Sequence, residues 1–233
     1  MLCPGYKGVL YLVSTPIGNL EDVTLRALRV LKEVDYIACE DTRITLRLLQ
    51  RYQIKKPLIS YFEHNKTRRT ELLIKQLKAG KKIALVSNAG TPLISDPGYE
   101  LVRKCIEQDI KIIPIPGATA LATALSISGC PSDRFIFEGF LPRKPGKRKK
   151  RLEGFKDESR TIIIYESPHR LLKTLEALMD CLGDRTITLT KELTKFYERA
   201  QRGKLSTLIK ELENSQIKGE FTLVIEGGPK RRQ

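Results

Sequence analysis

Tryptophan is absent from the 233-residue chain, and histidine and methionine occur twice each. His64 and His169 are too few for a histidine-based metal site and do not stand in His-Glu-x-x-His spacing, so no catalytic metal is expected. The five cysteines, Cys3, Cys39, Cys105, Cys130 and Cys181, are odd in number and form no Cys-x-x-Cys pair. They read as reduced structural thiols of a cytosolic protein. No apolar run approaches the roughly 18 residues a membrane helix needs. Met1 to Lys7 also lack the charged-then-apolar layout of a signal peptide; together these predict a soluble, cytoplasmic protein with no membrane contact. Neither Gly-x-Gly-x-x-Gly after the first apolar run nor a P-loop is present, which excludes the two familiar glycine-rich ways of holding a nucleotide. No internal repeat is visible.

Acidic residues are in deficit. Lys and Arg number 42 against 27 Asp and Glu, a formal charge of +15, and the pI is near 9.7. Such a surface favours a polyanionic partner, and nucleic acid fits best because lysine and arginine release the counterions condensed on phosphates. An anionic membrane or a small polycarboxylate also satisfies the charge.

Short apolar runs at 9–13, 35–39, 82–86 and 111–115 are each followed by a breaker-rich loop and then by helical spacing, which predicts strand, loop and helix in turn. Asp41 is placed to cap the helix that runs to Gln50, and a further helix is expected at 99–108. Strands alternating with helices imply a mostly parallel sheet, so residues 1–115 are expected to form an α/β domain. Beyond Pro116-Gly117 an Ala-rich helix runs to about Ser128. Strands are then expected at 135–137, 161–165, 185–189 and 220–225 with fewer helices between them, which makes 116–233 an α+β domain with a largely antiparallel sheet. Seven of the nine residues from Arg143 to Arg151 are Lys or Arg; this run is expected to repel itself into an extended or mobile loop. The tail 227–233 is expected to be disordered.

Ligands of open α/β sheets bind beyond the carboxyl ends of the strands, so the loops after Val13, Cys39, Val86 and Ile115 are the candidate site. Ser87-Asn-Ala-Gly-Thr-Pro-Leu-Ile-Ser-Asp-Pro-Gly98 is the most informative, since small side chains open the backbone to a ligand while prolines stiffen the loop. An ordinary surface loop accounts for the composition equally well. Glu40 and Asp41 end the second strand at the same edge, and Arg43 one turn further could meet phosphate.

The order of Ser87 to Gly98 is joined by Thr15-Pro-Ile-Gly-Asn-Leu20, Cys39-Glu-Asp-Thr-Arg43, Pro116-Gly-Ala-Thr119, Tyr165-Glu-Ser-Pro-His-Arg170 and Lys191-Glu-Leu-Thr194. Together they closely resemble the tetrapyrrole-methylase-like superfamily, and within it the enzymes that methylate small-subunit ribosomal RNA, in the right order from Leu10 to Gly227. The resemblance implies a two-domain, S-adenosylmethionine-dependent enzyme, usually a homodimer, that methylates a cytidine 2′-hydroxyl in the decoding region of 16S ribosomal RNA. It implies a cofactor cleft between the domains, with Thr15, Pro16, Ser87, Asn88, Ala89, Gly90, Thr91, Pro92, Pro116, Gly117, Ala118, Thr119 and Phe140 as the binding set. One departure stands out: the family commonly has Asp where this chain has Asn88, which puts in doubt any role there that needs a carboxylate.

RNA or the small ribosomal subunit would meet Arg43 together with Arg143, Lys144, Lys147, Arg148, Lys149, Lys150 and Arg151; a solvated loop is the competing reading of that run. Glu166 and Lys191, expected in loops of the second domain, are candidates for removing the hydroxyl proton. His169 reads first as a solvated or capping side chain. Two other functions fit parts of the pattern: a methyltransferase acting on a tetrapyrrole precursor, and a non-catalytic RNA-binding assembly factor that keeps the fold.

Overall fold

The structure is a computed structural model that describes residues 8–213 and 215–228. Cys3, the Met1 to Lys7 segment and residues 229–233 of the expected tail lie outside the described residues. Two compact units meet between Thr119 and Ala120.

In the first unit β1 (Val9–Val13), β2 (Tyr36–Cys39), β3 (Leu58–Ser60), β4 (Lys82–Val86) and β5 (Lys111–Ile115) form one sheet in the order β3-β2-β4-β1-β5. Every pairing in it is parallel. The connecting helices are α1 (Leu25–Glu33), α2 (Thr42–Arg51), α3 (Lys66–Lys78) and α4 (Tyr99–Glu107). The Thr24 hydroxyl accepts from Ala27 N (3.0 Å) to start α1, and Asp41 Oδ1 accepts from Arg43 N (2.9 Å) to start α2, two N-caps of the ordinary kind.

Strand side chains alternate between faces, so the sheet carries two cores. Val13 packs with Ala27, Val30, Leu31 and Leu49 of α1 and α2; Leu10 packs with Leu73, Leu77, Leu101 and Cys105 of α3 and α4. The neighbouring strands β1 and β4 therefore send their carboxyl-end loops to opposite faces, and this reversal opens a crevice between them.

The second unit has β6 (Phe135–Phe140), β7 (Thr161–Glu166), β8 (Thr186–Lys191), β9 (Arg199–Lys204) and β10 (Phe221–Ile225) in the order β6-β7-β10-β8-β9. Only β6 and β7 pair in parallel; the other three pairings are antiparallel. Its helices are α5 (Ala120–Ser128), α6 (Pro145–Glu153), α7 (Leu171–Leu182) and α8 (Leu205–Glu213). α6, α7 and α8 share one core with Ile162, Ile164, Leu189 and Leu223, whereas α5 lies on the other face, where Thr188 Oγ1 donates to the Ser128 carbonyl (2.8 Å).

Three expectations are corrected. The basic run is not a loop: Pro145 occupies the first turn of α6, where its missing N–H costs nothing, and the helix anchors through Leu152 and Phe155 in the core. The second unit is richer in helices than expected. The first two residues of the expected disordered tail, Gly227 and Gly228, are placed, and the Gly228 N–H donates to the Glu158 carbonyl (2.6 Å).

No helix among the described residues is long and apolar enough to cross a membrane.

Candidate active site

The crevice between β1 and β4 is stitched across by backbone. Thr15 N donates to Gly90 O (2.9 Å) and Gly90 N donates to Thr15 O (3.0 Å), a single antiparallel bridge between two loops. Thr15 Oγ1 adds a bond to Ser87 O (3.3 Å). The loop after β5 joins through Thr91, whose hydroxyl meets Ser14 Oγ (2.9 Å) and donates to Ala118 O (3.2 Å). These bonds tie residues 116–119 to the first unit, which runs to Thr119. Gly90 sits at φ 81°, which only glycine adopts without strain. A Cβ on Gly117 would lie 2.8 Å from Ser14 Cβ, so glycine is required for the close approach of these loops.

Small or stiff side chains thus bring the main chain of three loops together with the hydroxyls of Ser14, Ser87 and Thr91, groups suited to a ligand read through amides, carbonyls and hydroxyls. The loop after β4 also holds two non-glycine residues in the left-handed region, Leu93 (φ 72°) and Ser95 (φ 66°). Such conformations cost about 1–3 kcal/mol each and persist only where the surroundings impose them.

Asn88 has a defined task. Its Oδ1 accepts from Asp41 N (3.1 Å), joining the loop after β4 to the end of β2. An aspartate would accept the same bond, so the departure from the family pattern leaves this link intact. Arg43 folds back on Asp41 (Nη2 to Oδ2, 2.7 Å) and, with the Arg43 amide, holds that carboxyl down to about 2.

Nothing in the residue pattern singled out Asp96. Burial raises its carboxyl to about 6, against the lowering effect of a bond with Ser87, and Glu40 adds repulsion. Glu40 is itself raised, by burial and then by Asp41. A carboxyl shifted towards neutrality beside a strained loop is a mark of functional sites.

The remaining candidates belong to the second unit. Glu166 and Lys191 are the last residues of β7 and β8, not loop residues. Glu166 is 2% exposed: Oε2 accepts from Thr174 Oγ1 (2.7 Å), Oε1 accepts from Ser167 N (2.8 Å), and Arg170 Nε lies 3.4 Å away. This carboxylate holds the entry to α7 and is closed to substrate in this arrangement. Lys191 is half-buried and pairs in register with Phe221 and Arg199. Phe140 is exposed and stands edge-on to Tyr165 (5.8 Å between centroids), whose hydroxyl accepts from Leu121 N (2.9 Å). His169 is exposed in the turn before α7. On α6 and its approach Arg143, Lys144, Lys147, Lys149 and Lys150 are exposed, Arg148 is buried, and Arg151 is tied to Glu138.

Residues 9–209 match the Tetrapyrrole (Corrin/Porphyrin) Methylases. The chain is 56% identical over 221 residues to ribosomal RNA small subunit methyltransferase I of Synechocystis sp., covering 94% of this chain and 79% of that protein. Its identity to the protein of the same name from Thermotoga maritima is 49%, covering 94% and 99%. The chain belongs to the ribosomal RNA small subunit methyltransferase I family. Solved structures agree on the fold. Cobalt precorrin-4 methyltransferase superposes with TM-score 0.72 at 16% identity, covering 94% of both chains. A uroporphyrin-III C-methyltransferase from Thermus thermophilus, in complex with S-adenosylhomocysteine, gives 0.65 at 21%, covering 93% and 97%. Membership of the ribosomal RNA small subunit methyltransferase I family makes this chain a methyltransferase, and the motifs that define its crevice loops are those that carried the resemblance.

Proposed function

We propose that the chain transfers the methyl group of S-adenosylmethionine to the 2′-oxygen of a cytidine in the decoding region of 16S ribosomal RNA, acting as a homodimer on the RNA or on the small subunit. The observation that carries the cofactor assignment is the close approach of the loops around Thr15, Gly90, Thr91 and Gly117, so tight that a Cβ at Gly117 would lie 2.8 Å from Ser14 Cβ. The residue set Thr15–Pro16, Ser87–Pro92 and Pro116–Thr119 holds the donor there. The donor supplies an already activated methyl group, so the protein's work is alignment and exclusion of water. The names of the relatives and the charge of +15 support RNA over a tetrapyrrole as acceptor.

A ribose hydroxyl must lose its proton as it reacts. Asp96, whose burial raises its carboxyl to about 6, is a stronger base than an ordinary aspartate and still ionised at neutral pH, and is the acceptor offered by the first unit; Lys191 is the candidate of the second. Glu166 acts by positioning α7. Asp96→Asn and Lys191→Met separate the two: the true acceptor lowers kcat and removes the acidic limb of its pH profile, while donor affinity holds.

Purified protein should methylate small ribosomal subunits and not tetrapyrrole precursors. The product should yield a nuclease-resistant dinucleotide, because a methylated 2′-oxygen no longer attacks its phosphate. Gly117→Trp should abolish donor binding in calorimetry. Transfer to a tetrapyrrole with none to RNA would refute the proposal, as would full donor binding by Gly117→Trp.

A further inference from the structure

Two charged side chains are classed with the buried core of the described residues, Glu166 and Arg148. Glu166 is met by a hydroxyl, an amide and a guanidinium. The Arg148 side chain, 9% exposed, has no hydrogen-bond or ion-pair partner among the described residues, and its Nε is sealed from solvent. Leaving a buried charge unpaired is among the costliest arrangements in a fold, and this structure avoids it elsewhere. Arg151, one turn on, chelates Glu138 and lies over the Phe155 ring (4.8 Å). Arg170 donates to the Leu141 carbonyl (2.7 Å), and Arg185 donates to the carbonyls of Lys156 (2.7 Å) and Phe155 (3.3 Å).

The setting of Arg148 points to an anion. Its helix has no acidic residue in the first turn, the N-cap Lys144 makes no side-chain bond, and Arg143, Lys144, Lys147, Lys149 and Lys150 around it are exposed. Of the carboxylates on and beside the helix, Glu138 is taken by Arg151 and Glu153 ends the helix; among the described residues neither is paired with Arg148.

We propose that Arg148 is a built-in phosphate site: a recessed guanidinium, left unpaired by the fold, that receives one backbone phosphate of the RNA while the surrounding exposed cations draw the strand in. This rests on the reading of RNA as substrate. It differs from general attraction by the basic helix, because a planar fork fixed by burial grips one phosphate in one register.

A solvated lysine and a recessed, unpaired arginine respond differently to removal. Arg148→Met keeps the stem and deletes the charge, so it should raise the melting temperature by a few degrees, a buried ion having been exchanged for an apolar group. It should also lower affinity for 16S ribosomal RNA several-fold and reduce the slope of log affinity against log salt by about 0.7–0.9, with S-adenosylmethionine affinity within twofold of wild type. Lys149→Ala should reduce the slope similarly and leave the melting temperature unchanged. Inorganic phosphate should raise the melting temperature of the wild type above that in chloride of equal ionic strength, and should not do so for Arg148→Met. A lower melting temperature in Arg148→Met, or an unchanged slope, would make Arg148 a structural cation and overturn the site. Failure of the wild type to bind RNA at all would instead overturn the substrate reading.

Discussion

Asp96 offers the sharpest test at the scale of a single side chain. Its carboxyl stands at about 6 in the folded protein against an ordinary 3.8, so the native state keeps a proton that the unfolded chain has released. Stability therefore falls as pH rises through the window from 3.8 to about 6, and the whole penalty is present above it. Asp96→Asn should melt higher than wild type at pH 8 and together with it near pH 4; equal melting at both would show that the carboxyl is not desolvated. Asn88 illustrates how little a residue name reveals about its task. Read from sequence it is a lost carboxylate, whereas in place it is an acceptor for Asp41 N, a role in which the amide oxygen is sufficient. The left-handed backbone at Leu93 and Ser95 had no signal at all in the sequence, because neither residue type favours it.

Among the elements, the entry to α7 depends on the buried Glu166 carboxylate. Thr174→Val removes one of its donors without changing volume and should cost about 1–3 kcal/mol, read as a lowered denaturation midpoint with unchanged slope; no loss would mean that Ser167 and Arg170 suffice. The sequence made visible the elements whose apolar content is strong. β1, β2, β4 and β5 announced themselves as short apolar runs, and Asp41 as a cap. β3 is three half-buried residues, too short for any period to register. β9 reads Arg-Ala-Gln-Arg-Gly-Lys; it is an edge strand held by its backbone pairing to β8, and pattern methods sense side chains, not ladders. α6 was misjudged because seven cations in nine residues outweighed a single Leu152, although that leucine with Phe155 is what seats the helix. The crevice loops were legible through their order of residues, and Asp96 was not, since its shift comes from burial that only the fold creates.

For the molecule as a whole, the distribution of features is uneven: the first unit holds the clasped loops around Thr15, Gly90 and Gly117, and the second carries the exposed cations of α6. The clasp has a consequence for how the chain opens and closes. Thr15 and Gly90 are loop residues, yet their amides are tied to each other across 75 positions of sequence, so neither can be released by fraying of a local turn. Their hydrogens should exchange with solvent as slowly as those of β1 and β4, through the same large-scale opening, whereas the neighbouring exposed amide of Ala89 should exchange orders of magnitude faster. Exchange of Thr15 at the rate of Ala89 would show that the clasp opens by itself. If it does not, the site is assembled only when the two halves of the first sheet have met, and a partly folded chain has no clasp.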